Sequence, residues 1–357
     1  MIEVHAPGKL YIAGEYAVVE TGFPALLIAV DRYLTVRVSP AQDMGHITSD
    51  HNSGSSLAWY RRAASMVVDA DGTTFDFVLA AIRVVEEIAA AVGRPLEVYD
   101  LDITSELGDD SGRKFGLGSS AAVTVATVQA LCAYYRLDLQ PMEQLKAALL
   151  ASTLVQRSGS GGDVAASMFG GWVCYTSFDR EWVEQQRNLV ALAELVRQDW
   201  PGLSVRRVTP PEGLRLLVGW TGSPASTARL VGDVQARRTG VTSYVDFLAG
   251  SRRCVTDIVA ALDAGDSAAV LEGIRRNREL LRDLGELTGT TIETPLLTRL
   301  IETAQEHGAA SKSSGAGGGD CGIALIDAAG DTDGLIAAWE RADIRLLNLH
   351  EHRPRAL

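Results

Sequence analysis

No stretch of about 18 or more consecutive apolar residues occurs in this chain, so no transmembrane helix is expected. Cysteine is scarce. The four cysteines, Cys132, Cys174, Cys254 and Cys321, lie far apart and form no CxxC pair, which argues against a zinc site and reads as reduced thiols. The six histidines show no metal-ligand spacing either. No basic region followed by an apolar stretch opens the sequence, and the expectation is a cytoplasmic protein. Positive charge is also short. Lys and Arg total 33 against 45 Asp and Glu, a formal net charge of −12. Such a surface repels nucleic acid and anionic lipid, so neither is expected as a partner. A site for an anionic ligand must then be a local exception, built from a few cations and backbone amides. No Walker A motif and no internal repeat are present.

What is there suits a globular enzyme. Hydrophobic residues make up 46% and charged residues 22% of 357 positions, enough for a sizeable core and, by length, about two domains. Residues 25–29 and 34–38 read as strands with a turn at Asp31-Arg32 between them. Short strands are expected at 46–48 and 65–68, with a polar turn at Asp71-Gly72. Residues 75–92 repeat apolar positions at helical spacing and stop at Gly93. A strand follows at 96–104, then a polar loop at 106–114. Residues 118–135 are small and apolar throughout, as in a buried helix. Pro141 opens another helix, ending near Val155, and 171–176 reads as a strand. The charged segment 179–213, broken by Pro201, Pro210 and Pro211, is the expected domain junction. The expected domains are residues 1–200 and 201–357. Beyond it come a strand at 214–221, helices near 225–238, 243–263, 266–285 and 295–307, and a strand at 321–326. The mixture is α+β.

Three glycine-rich loops carry the chemical signal. In Lys114-Phe115-Gly116-Leu117-Gly118-Ser119-Ser120-Ala121, glycines allow a sharp turn and the following helix offers unpaired N–H groups and a partial positive end. This is either a phosphate cradle or a Gly-Ser turn that caps a helix. It mimics a dinucleotide fingerprint, but Asp138 follows the helix directly and no strand intervenes, which argues against the nicotinamide reading. In Ser158-Gly159-Ser160-Gly161-Gly162-Asp163, Asp163 is either a helix N-cap or a catalytic carboxylate. The third loop, Ser313 to Gly322, has five glycines in its last eight residues, which is costly in chain entropy and suggests backbone pressed against a ligand. Near the N-terminus, Lys9 opens an otherwise apolar strand in Pro7-Gly8-Lys9-Leu10-Tyr11, followed by Gly14-Glu15-Tyr16.

These segments, in this order and over nearly the whole chain, resemble the galactokinase, homoserine kinase, mevalonate kinase and phosphomevalonate kinase superfamily. Gly8-Lys9-Leu10-Tyr11, Gly14-Glu15-Tyr16, Lys114 to Ser120, Ser160 to Asp163, Val218-Gly219-Trp220-Thr221 and Asp320-Cys321-Gly322 resemble the bacterial phosphomevalonate kinases in particular. Mevalonate kinases typically have His where Tyr16 stands and an acid before the catalytic Asp loop; residues 144–162 contain no acid. That departure leaves a second Mg²⁺ ligand unassigned.

The resemblance implies an N-terminal domain like the second domain of ribosomal protein S5, a ferredoxin-like C-terminal domain and an active site between them. It implies ATP and Mg²⁺, with small molecules as the other partners. Gly116, Leu117, Gly118, Ser119, Ser120 and Ala121 would hold the ATP phosphates, and Ser120 would bind Mg²⁺. Lys9, Lys114 and Asp163 would be catalytic. Lys9, Tyr16, Ser160, Ser226, Ser313, Gly318 and Gly319 would contact the acceptor. Arg61, Arg83 and Arg275 are the arginines considered for its phosphate, and surface solvation is the plainer reading of each.

Overall fold

The computed structural model describes residues 1–50, 55–68, 74–109, 111–223, 226–237 and 242–353; the expected Asp71-Gly72 turn lies outside them. Strand β1 (Ile2–Ala13) pairs antiparallel with β2 (Pro24–Pro40) along nearly its whole length. Asp31-Arg32 is therefore not a turn between strands but part of one strand. The register slips where Pro7 and Gly8 face Tyr33 and Val30, which leaves Asp31 and Arg32 unmatched. Pro7 has no N–H for the ladder, so a bulge forms there and bends β2 without ending it.

The bend lets the other edge of β2 take two partners. Pro24–Ile28 pairs with β7 (Trp172–Thr176), and Leu34–Pro40 pairs with β6 (Tyr99–Ser105). The end of the chain fills the gap: His352 N–H donates to the Ala29 carbonyl (2.9 Å) and Asp31 N–H to the His350 carbonyl (2.9 Å). The sheet extends from β6 through β3 (Gly45–Ser49), β4 (Ser56–Arg62) and β5 (Ser65–Val68), and from β7 to β8 (Ser204–Val208). β4 was not expected, and β6 starts three residues later than the 96–104 reading because Pro95 and its neighbours run irregularly.

Helices α1 (Asp76–Ala91), α2 (Ser119–Tyr134), α3 (Pro141–Val155) and α4 (Gly162–Phe169) belong to this first half. α2 is buried around most of its circumference, as its small apolar residues required. α3 starts on Pro141, with the Glu143 carboxylate accepting from the Gln140 N–H (2.9 Å). The charged segment after β7 is not irregular: it holds α5 (Arg180–Arg187) and α6 (Leu192–Leu195) before β8. Since β8 still pairs with β7, we propose that the division of the chain lies in residues 209–214.

The second sheet is antiparallel, in the order β10 (Ala310–Ser313), β11 (Cys321–Ile326), β9 (Arg215–Trp220), β12 (Arg345–Leu347). Helices α7 (Thr227–Arg237), α8 (Thr242–Ala264), α9 (Ser267–Thr288) and α10 (Pro295–Glu306) connect β9 to β10, and α11 (Thr332–Arg341) connects β11 to β12. That strand order is the ferredoxin-like one. On one face Trp339 packs with Leu300 and Leu335, its indole N–H on the Leu300 carbonyl (2.9 Å). Cys254, Val255 and Ile258 of α8 and Ile274 of α9 join the same core as β1 and β2, so the two halves share apolar packing. No helix among the described residues is long and apolar enough to cross a membrane.

Two polar contacts fasten β1 to the second sheet. Ser314 Oγ accepts from the Tyr11 N–H (2.9 Å) and donates to the Tyr11 carbonyl (3.0 Å). Lys312, fully buried in β10, forms an ion pair with buried Glu15 just beyond β1 and also donates to the Ser313 carbonyl (2.6 Å). Removing one member of a buried pair strands the other charge. Lys312→Met alone is expected to cost about 3–5 kcal/mol, and the double variant Glu15→Gln/Lys312→Met distinctly less than the two single losses added. Urea unfolding of all four proteins checks this; single variants as stable as the parent would show that the pair does not hold the halves together.

Candidate active site

The cleft between the halves has a volume of about 620 Å³ and is lined from both. One wall is the loop before α2. Gly118 caps that helix in the left-handed region (φ 80). A side chain there would be doubly excluded, because a Cβ would lie 2.7 Å from Lys9 Cε. The lysine stem thus runs directly over the turn. The loop is tied to β1 by the Lys9 N–H, which donates to the Leu117 carbonyl (2.9 Å). The first amides of α2, from Ser119 to Ala121, have no carbonyl partner within the helix and border the cleft. Together with the helix dipole they form an anion seat.

Lys9 is almost completely buried, its Nζ 3.5 Å from the Gly116 carbonyl and 5.6 Å from the centre of the Tyr11 ring. Burial pushes its pKa down from the ordinary lysine value; the charge that most strongly resists this is Asp163, with Asp320 and Glu15 adding to it. Asp163 is not the N-cap of α4. Gly161 is, at φ 83, which puts Asp163 in the first turn, its Oδ1 accepting from the Val164 N–H (3.0 Å). Ser160 Oγ is bonded to Tyr11 Oη (2.9 Å) and accepts from the Gly162 N–H (3.2 Å). Burial holds the Tyr11 phenol well above its ordinary pKa, with Asp163 adding to the shift, so it stays protonated.

The cleft therefore gathers most of the residues expected from sequence. Lys9, Tyr16, Lys114, Gly116, Leu117, Gly118, Ser119, Ser120, Ala121, Ser160, Asp163 and Ser226 all border it. Tyr16 sits at φ 62 and donates its hydroxyl to the Ala316 carbonyl, which ties it to the third loop. Ser313, Gly318 and Gly319 do not border the cleft. Ser313 is a buried strand residue paired with Gly322, and its neighbour Ser314 faces the cleft in its place. The Gly318 N–H donates to the Ile292 carbonyl (2.7 Å). A Cβ at Gly317 or Gly319 would come within 2.2 Å of the Ile292 carbonyl or 2.3 Å of the Ser223 carbonyl. Much of that glycine content thus answers to protein backbone, not to a ligand.

The arginines considered from sequence lie elsewhere. Arg61 is bound to buried Glu86, and Arg275 pairs with Glu272 on the surface of α9. Arg83 borders a separate small hollow beside α1. Arg113 borders the cleft instead, over the Trp220 ring (5.0 Å) and paired with Asp109 (2.8 Å). Its position beside Lys114 was the available signal. A second cavity of about 330 Å³ adjoins the cleft, sharing Phe77, Leu107, Lys114, Ser119 and Ser120 with it, and adds apolar Leu34, Phe75, Val78 and Ile103. Among the described residues no cluster of three or more His, Cys, Asp or Glu could hold a metal alone. The cleft does offer hard oxygen donors, the Ser120 hydroxyl and the Asp163 carboxylate, of the type Mg²⁺ takes when most of its other ligands are water and phosphate.

Comparison with known proteins agrees with this geometry. Residues 76–171 match the family model described as GHMP kinases N terminal domain, and residues 258–343 match GHMP kinases C terminal. A phosphomevalonate kinase of Streptomyces sp. (strain CL190) is 44% identical over 97% of this chain and 96% of its own length. The Lin0012 protein of Listeria innocua superposes with a TM-score of 0.92 at 36% identity, covering 99% of this chain and 98% of that one. The Streptococcus pneumoniae phosphomevalonate kinase in complex with phosphomevalonate and AMPPNP superposes with a TM-score of 0.86 at 33% identity, covering 99% and 100%. By likeness along its whole length and by the construction of its cleft, the chain belongs to the GHMP kinase family, in the group that contains the bacterial phosphomevalonate kinases.

Proposed function

We infer that the chain is an ATP-dependent phosphomevalonate kinase, converting (R)-5-phosphomevalonate to the 5-diphosphate with release of ADP, a step of isoprenoid synthesis by the mevalonate route. The observation that carries this is the placing of one buried ammonium, Lys9, between the amide-lined turn at the start of α2 and the Asp163 turn at the start of α4. Two anions can be brought together there against an overall acidic protein. The near full-length likeness to a phosphomevalonate kinase supports the choice of acceptor, as does the absence of an acid in residues 144–162. The four free cysteines suit a reducing compartment, and we place the enzyme in the cytoplasm.

The chemistry is an in-line displacement. A non-bridging oxygen of the acceptor phosphate attacks the γ-phosphorus, the bond from that phosphorus to the β–γ bridging oxygen breaks, and ADP leaves with the electron pair. The acceptor's second pKa is about 6, so at neutral pH it is mostly dianionic and already nucleophilic. Catalysis is then positioning and charge neutralisation. In our assignment Gly116 to Ala121 hold the ATP phosphates, and the apolar second cavity takes the nucleoside end. Lys114 neutralises the transferred phosphoryl group. Lys9 draws the acceptor phosphate in, and Asp163 orients Lys9 and keeps it charged. Ser160, Ser226 and Tyr16 border the acceptor, and Ser314 takes the place first given to Ser313. The Ser120 hydroxyl is the residue that would hold a Mg²⁺ ion, which would supply charge neutralisation at the nucleotide phosphates.

A coupled ADP-release assay with Mg²⁺-ATP, offering phosphomevalonate, mevalonate, homoserine and galactose, tests the function. Turnover with phosphomevalonate alone is expected. Turnover only with another acceptor would refute the substrate, and ATP binding without any turnover would point to a sensor. Lys9→Ala is expected to lose at least about 100-fold in kcat/KM, the scale of one charge-stabilising group, while remaining folded by circular dichroism; near-normal turnover would remove Lys9 from the site. Asp163→Asn withdraws the main charge that keeps Lys9 protonated. The Lys9 ammonium would then lose its proton at lower pH, so the alkaline limb of the kcat/KM profile should move to lower pH with a smaller loss at pH 7 than for Lys9→Ala. An unmoved limb with a loss as large as that of Lys9→Ala would favour Asp163 as a general base.

A further inference from the structure

A cation that sequence reading did not single out stands behind the acceptor end of the cleft. Arg180 occupies the first position of α5 and reaches beneath two of the segments that border the cleft. One terminal nitrogen donates to the Val19 carbonyl (2.8 Å), the other to the Gly159 carbonyl (2.7 Å). The guanidinium lies over the Phe178 ring (5.2 Å), and its Nε is buried without a hydrogen-bond partner. Among the described residues no acid forms an ion pair with it, and Tyr175 is the group that interacts with its charge. An arginine that stays charged, is bonded to carbonyls and has no counter-ion is an expensive way merely to hold two loops. A neutral donor would do that.

The peptide geometry suggests what the charge is for. In a trans peptide the C=O and N–H point in opposite directions, and no cis bond is present among the described residues. The Gly159 carbonyl and the Ser160 N–H belong to one peptide unit. The Gly159 carbonyl is bonded to Arg180, which does not itself border the cleft, so the Ser160 N–H points away from Arg180, and both Gly159 and Ser160 border the cleft. That N–H has no protein acceptor among the described residues. Bonding of the carbonyl to a cation also polarises the peptide and strengthens its N–H as a donor.

We propose that Arg180 is a positioning residue for the acceptor phosphate: it aims and polarises the Ser160 amide as an anion donor in the same cleft as Lys9, and its uncompensated charge favours a dianionic acceptor. This rests on the phosphomevalonate reading above.

Steady-state kinetics of wild type, Arg180→Gln and Arg180→Lys, with each substrate varied in turn, provide the test. In Arg180→Gln the KM for phosphomevalonate should rise about 10- to 100-fold, the scale of a charge-assisted hydrogen bond, while the KM for ATP stays within about twofold. Arg180→Lys, which keeps the charge but loses the two-carbonyl grip, should fall between. Guanidinium ion added to Arg180→Gly should lower the acceptor KM again, a rescue that a loosely packed variant would not show. A folded Arg180→Gln with an unchanged acceptor KM, or with both KM values raised alike, would overturn the proposal; should that variant fail to fold, the same comparison on Arg180→Lys decides. A wild type that does not use phosphomevalonate at all would overturn the functional reading and this inference with it. A wild type that does, with variants unaltered in acceptor KM, would overturn this inference alone.

Discussion

The buried ion pair between Glu15 and Lys312 is the constraint on which the rest of the structure depends. Glu15 lies just beyond β1 and Lys312 in β10, and both are buried. Taking such charges out of water is costly, and the cost is offset only while the partners stay in place. The pair therefore fixes the end of β1 against the second sheet, and the Ser314 bonds to Tyr11 fix it a few residues earlier. With β1 located at both points, Lys9 can lie in only one place, over Gly118. Among the described residues, one carboxylate oxygen of Glu15 is buried without a hydrogen-bond partner.

The same constraint explains how an acidic protein can handle two anionic substrates. The surface carries the net charge of −12. The cleft answers with a few cations held by structure, Lys9 by burial and Arg113 by Asp109 and Trp220, while Arg180 is held behind it by two carbonyls. Backbone amides at the starts of α2 and α4 supply the remainder. Because these groups are oriented before substrate arrives, little reorganisation is needed when charge builds up in the transition state. Concentrating the positive groups in one enclosed place also keeps the outer surface unattractive to other polyanions.

Some features of the fold are legible in the residues and others are not, for definite reasons. Helices α1, α2 and α3 were legible because their signals are local: apolar spacing, Gly93 beyond one end, Pro141 at another start. The loop before α2 was legible for the same reason, since a helix start after glycines has consequences whatever surrounds it. The bulge at Asp31-Arg32 was not, because it arises from Pro7 on the neighbouring strand. The third loop was half legible. Its glycines signalled close approach, but the approaching atoms are largely the Ile292 and Ser223 carbonyls, supplied from far along the chain.

Taken alone, the sequence determined most of the helices, the family and the chemistry on offer: lysines at 9 and 114, amides after Gly118, a carboxylate at 163. These follow from residue type and short spacing, which folding does not alter. Tertiary structure decided which of the many arginines borders the cleft, which of Ser313 and Ser314 faces it, and which acid lies where its charge most affects Lys9. Strand alternation turns adjacent serines to opposite faces, and only the register of β10 against β11 chooses between them. Likewise the value of a charged side chain depends on its distance to other charges and on the water it has lost. Neither quantity exists until segments remote in sequence have packed together.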